Sequence, residues 1–327
     1  MTDEVLLEVN DLSVVFPLPK GDVQAVCGVS FRVREQEIFG IVGESGCGKT
    51  CTGRSILRLV PSPGVIAGGE ILFRGENLLE KTKREMRRVR GGDITMVFQD
   101  PAAALNPLFR VGQQLFMIME EHHVGGNKRA RRELAIELLE DLGLPDANEL
   151  LESYPHELSG GMKQRAMIGM ALCTGPGLII ADEPTSALDV TIQSQILDIL
   201  RQLKEEAGVS IILITHDLGV VAETCDRLAV FYRGRIVEQG GVHEIYNEPR
   251  HPYTLGLLEA IPNPAVRQKK LRAIPGTVPT NAGLVQGCGF ASRCGHATDV
   301  CRERVPPLMP SGRNHLVACH RFDDGGG

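Results

Sequence analysis

The sequence predicts an α/β protein whose main sheet is largely parallel and covered on both faces, and three observations predict it. The segments LIIADEP (178–184) and VSIILIT (209–215) are nearly continuous in apolar residues, without the alternation of a sheet that faces water on one side. Between them, TIQSQILDILRQLKEEAG (191–208) has the amphipathic spacing and the length of a helix joining two parallel strands. Earlier, EIFGIVG (37–43) reads as a strand that runs straight into the glycine-rich turn GESGCGKT, with helical residues after it.

The remaining elements follow in order. LLEVNDLSVVF (6–16) and AVCGVSFRV (25–33) read as strands from their β-branched and aromatic content, and DITMVFQ (93–99) as another before the break DPAAALNP. The period then changes: VGQQLFMIMEEHH (111–123) and KRARRELAIELLEDLGL (128–144) place apolar residues every three to four positions, which predicts an inserted helical subdomain over about 100–172. DRLAVFYRGRIVEQG (226–240) reads as a hairpin and HPYTLGLLEAI (251–261) as a short helix. From Pro262 onward periodicity fades while Pro, Gly and Cys increase, so a large module 1–261 and a smaller one 262–327 are expected.

At 327 residues the chain is long enough for two such modules. A formal net charge of -6 argues against a general polyanion-binding surface, so nucleic acid is not expected as a partner. The opening MTDEVLLEVN lacks the basic start and apolar core of a secretory leader, and no run is long and apolar enough to span a bilayer. A soluble, cytosolic protein is expected, with any membrane contact made through a partner. The nine cysteines do not read as a secreted disulfide framework; Cys27, Cys47, Cys51, Cys173 and Cys225 are most simply ordinary thiols.

Gly43-x4-Gly48-Lys49-Thr50, set between a strand and a helix, is a phosphate-binding loop. Its glycines permit the tight turn and let the backbone N–H groups of Glu44, Ser45, Gly46, Cys47, Gly48 and Cys51 approach phosphate. Lys49 reaches the β/γ oxygens, and Thr50 offers a hydroxyl to Mg²⁺. LIIADEP delivers Asp182 and Glu183 to a strand end, the first suited to the metal and the second to polarising an attacking water. His216, after VSIILIT, could hydrogen-bond the γ-phosphate. A lone histidine there is more often a plain loop residue, and two acids after a strand prove little alone. LSGGMKQR (158–165) offers a second set of backbone donors at a helix start, with a serine N-cap and flexible glycines as its purely structural reading.

Over nearly all of residues 5–260, the combination GESGCGKT, Gln99 in VFQDP, LSGGMKQR, LIIADEP, SALD (186–189) and THD (215–217) resembles the ATP-binding subunit of an ATP-binding-cassette (ABC) transporter. The resemblance implies a P-loop NTPase fold with a RecA-like core, an antiparallel β subdomain and a helical subdomain. It assigns Gln99 to the loop that senses Mg²⁺ and the permease, Asp189 to the dimer-communication loop, and His216 to the switch histidine. It places Phe16, which could equally be core, against adenine. It also accounts for the second cradle. In that family two cassettes meet head to tail, so Ser159, Gly160, Gly161 and Gln164 would face the partner's ATP. The catalytic set it implies is Glu183, His216, Gln99 and Lys49, with Thr50, Gln99 and Asp182 around Mg²⁺.

The tail places Cys288, Cys294, Cys301 and Cys319 in a loop-rich segment with little core. Four soft thiolates suit zinc or an iron–sulfur cluster, and unligated thiols are the plain alternative; the spacing fits no CxxC zinc ribbon. His296, His315 and His320 are possible substitutes for a thiolate. With HPYT (251–254), this tail resembles the C-terminal extension of dipeptide/oligopeptide importer ATPases, and the resemblance implies a [4Fe–4S] cluster. It further implies two transmembrane permease subunits, an extracytoplasmic binding protein, a second cassette of similar sequence, and a peripheral site on the cytoplasmic side of the cell (inner) membrane. A nickel or other small-solute importer would carry a nearly identical cassette. A non-transport ABC ATPase would be expected to show two cassettes or long insertions, and neither occurs here.

Overall fold

The computed structural model describes residues 4–19, 21–186, 188–261, 274–277, 286–312 and 314–322. The chain divides into two compact units, one formed by Glu80–Leu213 and the other by Asp3–Leu79 with Ile214–Gly327.

The second unit opens with an antiparallel sheet. Strand β1 (Val5–Phe16) buries Leu7, Val9, Leu12 and Val14. It pairs with β2 (Val23–Arg34) on one side and, across β3 (Ile38–Val42) and α1 (Lys49–Ile56) in sequence, with β4 (Val65–Phe73) on the other. β5 (Glu76–Asn77) completes the order β2-β1-β4-β5. The sequence reading missed β4 because Gly68 and Gly69 interrupt its pattern. Gly69 has φ 97°, and a Cβ there would come within 2.7 Å of the Asp11 carbonyl, so the glycine lets β4 pass the irregular register of β1.

The first unit is mostly helical. α2 (Lys83–Arg88) starts in a capping box between Thr82 and Glu85. β6 (Ile94–Val97) precedes α3 (Pro101–Ala104), α4 (Val111–Glu121), α5 (Lys128–Asp141), α6 (Ala147–Leu150) and α7 (Gly160–Leu172). The apolar stripes expected from the 3.6-residue period meet in one core of Val111, Leu115, Met119, Ala135, Leu139 and Ala166. β7 (Leu178–Asp182), buried at every position, leads through α8 (Val190–Ala207) to β8 (Ser210–Thr215), giving the order β8-β7-β6.

The chain returns to the second unit through α9 (Leu218–Thr224), the hairpin β9 (Arg227–Tyr232) and β10 (Arg235–Gly241), α10 (Val242–Asn247) and α11 (Pro252–Glu259). β9 runs parallel to β3, Ile41 opposite Ala229. The expected boundary at Pro262 falls in 262–273, outside the described residues. Beyond it come α12 (Asp299–Glu303), β11 (Met309–Gly312) and β12 (His315–Val317). β12 pairs antiparallel with β10, Glu238 opposite Val317, so the tail extends the hairpin's sheet in the order β11-β12-β10-β9-β3. Three- and four-residue strands leave too little alternation to be read from sequence.

A buried carboxylate ties these pieces together. Glu238 on β10 accepts from the backbone N–H groups of Arg250 at 2.6 Å and His251 at 3.0 Å, and pairs with His315 Nε2 at 2.7 Å. His251 in turn caps α11, its Nδ1 accepting from the Tyr253 N–H at 3.0 Å. Burial pulls its pKa from 6.5 down to about 4, which keeps the ring neutral and the capping nitrogen free of a proton.

Candidate functional site

In the second unit, β3 ends at Val42 and the chain turns over the phosphate loop into α1. Two glycines are required there. A Cβ on Gly43 (φ 151°) would lie 2.3 Å from the Phe231 carbonyl oxygen, and one on Gly48 (φ 105°) would lie 2.3 Å from that of Ala25. Lys49 is only 4% exposed, and its ammonium donates to the carbonyls of Gly43 at 2.7 Å and Glu44 at 3.1 Å. The side chain is thus folded back along its own loop, a short swing from any phosphate placed there. Thr50 is the second residue of α1. Burial raises the pKa of Cys47, and that of Cys51 to about 11, so both stay thiols, as the sequence suggested.

In the first unit, the parallel register of β6 on β7 sets Val97 opposite Ala181. Two residues farther along each strand lie Gln99 and Glu183, which therefore emerge at the same carboxyl edge, where α/β sheets place their ligands. Gln99 Nε2 donates to Glu183 Oε2 at 2.9 Å. Glu183 sits in the left-handed region with φ 47°, uncommon for a side chain of its size, and its carbonyl accepts from the Ser186 N–H at 3.3 Å. Asp182, the last residue of β7, is 1% exposed.

The LSGG segment lies in the same unit. Ser159 caps α7, its Oγ accepting from the Met162 N–H at 3.3 Å, as the structural reading expected. Gly161 is explained by packing, since a Cβ there would meet Ile192 Cγ2 on α8 at 3.0 Å. Gly160 is not. It is exposed, and the nearest atom to a Cβ there is Leu188 Cδ2 at 3.9 Å. Gln164 is 2% exposed, with a buried Nε2 that has no hydrogen-bond partner among the described residues, so its side chain is not displayed beside Ser159 and Gly160. Asp189 caps α8, accepting from the Ile192 N–H at 3.0 Å; Ala187 of the SALD stretch lies outside the described residues.

Comparison with known proteins identifies the family. Residues 26–186 match the family model described as ABC transporter, and residues 237–301 match the oligopeptide/dipeptide transporter C-terminal region. The probable peptide ABC transporter ATP-binding protein y4tR of Sinorhizobium fredii is 48% identical over 98% of this chain and 96% of its own length. This chain belongs to the ABC transporter family. The oligopeptide transport ATP-binding protein OppD of Bacillus subtilis is 47% identical over 95% of this chain and 87% of its own length. The dipeptide transport ATP-binding protein DppD of Escherichia coli is 43% identical over 98% of both. Among solved structures, a dimeric post-hydrolysis ATP-binding cassette bound to ADP and Pi superposes with a TM-score of 0.65 at 25% identity, covering 72% of this chain and 98% of that one. The cassette cbiO1 of Clostridium perfringens, part of the ABC transporter complex cbiONQ, gives 0.64 at 27% identity over 75% of this chain and 92% of that one.

Two further residues of the ABC cassette have their places. Phe16 ends β1 half-buried, its ring edge against Gly64, where a Cβ would come within 2.6 Å of Cε1. His216 follows β8 and is exposed, while the next residue, Asp217, caps α9 by accepting from Gly219 and Val220.

The C-terminal region of the cassette gathers its four cysteines. The Cys288 N–H donates to the Cys301 carbonyl at 2.7 Å, and none of the four forms a disulfide. Burial pushes the Cys288 thiol up to about 11, with the neighbouring Cys301, Cys319 and Cys294 raising it further. Cys319 is raised by burial, then by Cys294 and Cys301. Among the described residues no group of three or more His, Cys, Asp or Glu side chains is placed to hold a metal ion, so the arrangement gives the expected [4Fe–4S] cluster no support. Two of the histidines named as substitutes are engaged elsewhere, His315 with Glu238 and His320 with the Arg304 carbonyl at 2.8 Å.

Sequence reasoning missed one residue beside the phosphate loop. Arg293, next to Cys294, holds the Glu44 carboxylate with two hydrogen bonds, at 2.7 and 3.1 Å. An arginine followed by cysteine carries no local signal of this.

Proposed function

We propose that this chain is the ATP-hydrolysing subunit that energises import of di- or oligopeptides through an ABC transporter. The observation that carries the ATPase part is the Gln99–Glu183 hydrogen bond at the strand edge, together with a complete phosphate loop. The peptide class rests on the C-terminal region and on relatives named for peptide transport.

In this reading the triphosphate takes the Lys49 ammonium away from the carbonyls of Gly43 and Glu44, exchanging two neutral acceptors for charged oxygens. Thr50, Gln99 and Asp182 would supply the oxygen donors that Mg²⁺ favours, and the ion would neutralise phosphate charge. Glu183 takes a proton from the attacking water, and Gln99 holds its carboxylate in place until then. His216 bonds the γ-phosphate. Ser159 and Gly160 meet the ATP of a second cassette. Gly160 supports this, because among the described residues only Leu188 Cδ2, at 3.9 Å, would meet a Cβ there, while an approaching phosphate favours a glycine. Phe16 stacks on adenine.

The partners in this reading are two transmembrane permeases, a homologous second cassette and an extracytoplasmic binding protein. The chain acts from the cytoplasmic face, and no helix among its described residues is long and apolar enough to cross a membrane. We divide it functionally at 1–261 and 262–327. Cys288, Cys294, Cys301 and Cys319 would hold a [4Fe–4S] cluster. Four soft thiols in one short region, near enough that three of them raise the pKa of Cys288, support this assignment.

The test is uptake of labelled dipeptides, oligopeptides and Ni²⁺ by cells carrying the wild-type chain or Lys49→Ala. Peptide uptake that is lost in the variant is expected; loss of Ni²⁺ uptake alone would move the substrate to nickel.

A further inference from the structure

We infer that Arg293 is a positioning residue of the nucleotide site, holding the phosphate loop through Glu44. The inference rests on the reading that this loop takes the phosphates of ATP.

The guanidinium is a fixed fork. Its side chain is 4% exposed, although a buried arginine is tolerated only when its donors are met. All five N–H groups have acceptors. Nε donates to the Pro275 carbonyl at 2.9 Å; Nη1 donates to Glu44 Oε2 at 2.7 Å and Tyr232 Oη at 3.3 Å; Nη2 donates to Glu44 Oε1 at 3.1 Å and the Gly276 carbonyl at 3.3 Å. Its Cζ also lies 5.9 Å from the ring centroids of Tyr232 and Phe290. A two-point arginine–carboxylate contact fixes direction as well as distance.

Glu44 is the first residue after Gly43, and it is held at every polar group. Its N–H donates to Tyr253 Oη at 3.0 Å, its carbonyl accepts from Lys49 Nζ at 3.1 Å, and its carboxylate is taken by Arg293. The loop's first peptide is therefore anchored to two parts of the region beyond the β9–β10 hairpin, Tyr253 of the HPYT stretch and Arg293.

The turn that presents Arg293 is bracketed by cysteines. Ala291 donates to the Cys288 carbonyl at 3.0 Å, Arg293 to that of Phe290 at 2.9 Å, and Cys294 to that of Ala291 at 3.4 Å. Phe290 packs edge-on to Tyr232 at 5.4 Å within the same aromatic group as Tyr253. Without the fork on Glu44, the loop loses an anchor that orders it for phosphate.

The test is calorimetric titration of the full chain with MgADP, for wild type, Arg293→Gln, Glu44→Gln, the double variant and Arg293→Lys. Each Gln variant is expected to weaken binding by on the order of tenfold, the double variant no more than either single one, and Lys to recover part of the loss because it keeps charge but not the fork. In the assembled transporter KM for ATP should rise by the same factor with kcat within about twofold, a split that general misfolding does not produce. Wild-type affinity in Glu44→Gln, or losses that simply add in the double variant, would overturn the inference. Should Arg293→Gln not fold, the half-exposed Glu44 decides alone. A wild-type chain that binds no MgADP, or binds it equally well as Lys49→Ala, would instead remove the ATP reading itself.

Discussion

Gln99 and Glu183 stand 84 positions apart in the chain, yet the amide of one donates to the carboxylate of the other at 2.9 Å. The bond fixes one carboxylate oxygen of the group proposed as general base. General-base catalysis contributes about two to four orders of magnitude. Glu183→Gln should therefore lower ATP turnover by at least about a hundredfold, while paired, ATP-loaded cassettes accumulate on size exclusion. Gln99→Ala keeps the base and removes this one contact to it, and a fall on the order of tenfold in kcat is expected. Phosphate release from the assembled complex measures both.

Gly160 and Gly161 adjoin in sequence but differ in surroundings, and substitution should separate them. Gly160→Val has open space within the chain, so thermal stability and nucleotide binding by the isolated cassette should be retained while turnover in the complex is lost. Gly161→Val must displace Ile192 on α8 and should cost stability as well, by roughly 1–3 kcal/mol. Melting temperature and turnover measured on the same preparations distinguish the two. Full turnover in Gly160→Val would remove the shared-site reading.

His251 makes stability depend on pH. The unfolded chain takes up this proton near 6.5 and the folded chain only near 4, because burial disfavours the charged ring. Between those values the unfolded state binds more protons, so the folded state loses about 1.4 kcal/mol per pH unit from this group as pH falls. The contribution is complete above about pH 6.5. Denaturant unfolding at pH 7.5 and 5.5 should show this slope, and His251→Asn, which retains a capping side chain, should remove it.

The cysteines give a spectroscopic prediction. Protein purified without oxygen should absorb broadly in the visible and contain iron, and both should vanish in Cys294→Ser with Cys301→Ser. Colourless, iron-free protein prepared that way would return these residues to zinc or to plain thiols, which metal analysis of the same sample separates.

What the sequence by itself determined was local. The phosphate loop was legible because Gly43 and Gly48 sit at left-handed, crowded positions that any other residue would strain, and that need is written in consecutive residues. The apolar runs of β7 and β8 and the stripes of α4 and α5 were legible for the same reason, since burial imposes a period on neighbouring positions. Tertiary structure decided what depends on register and closure. The parallel pairing of β6 with β7 joins Gln99 to Glu183; the return of the chain sets Arg293 on Glu44, 249 positions away; packing against α8 accounts for Gly161 but not Gly160; and folding buries Gln164. β4 and β12 escaped notice because glycines or short length erased their alternation, and their partners, not their own residues, make them strands. A hydrogen bond between distant residues leaves no periodic trace. Its energy comes from where folding puts two side chains, and only coordinates record that.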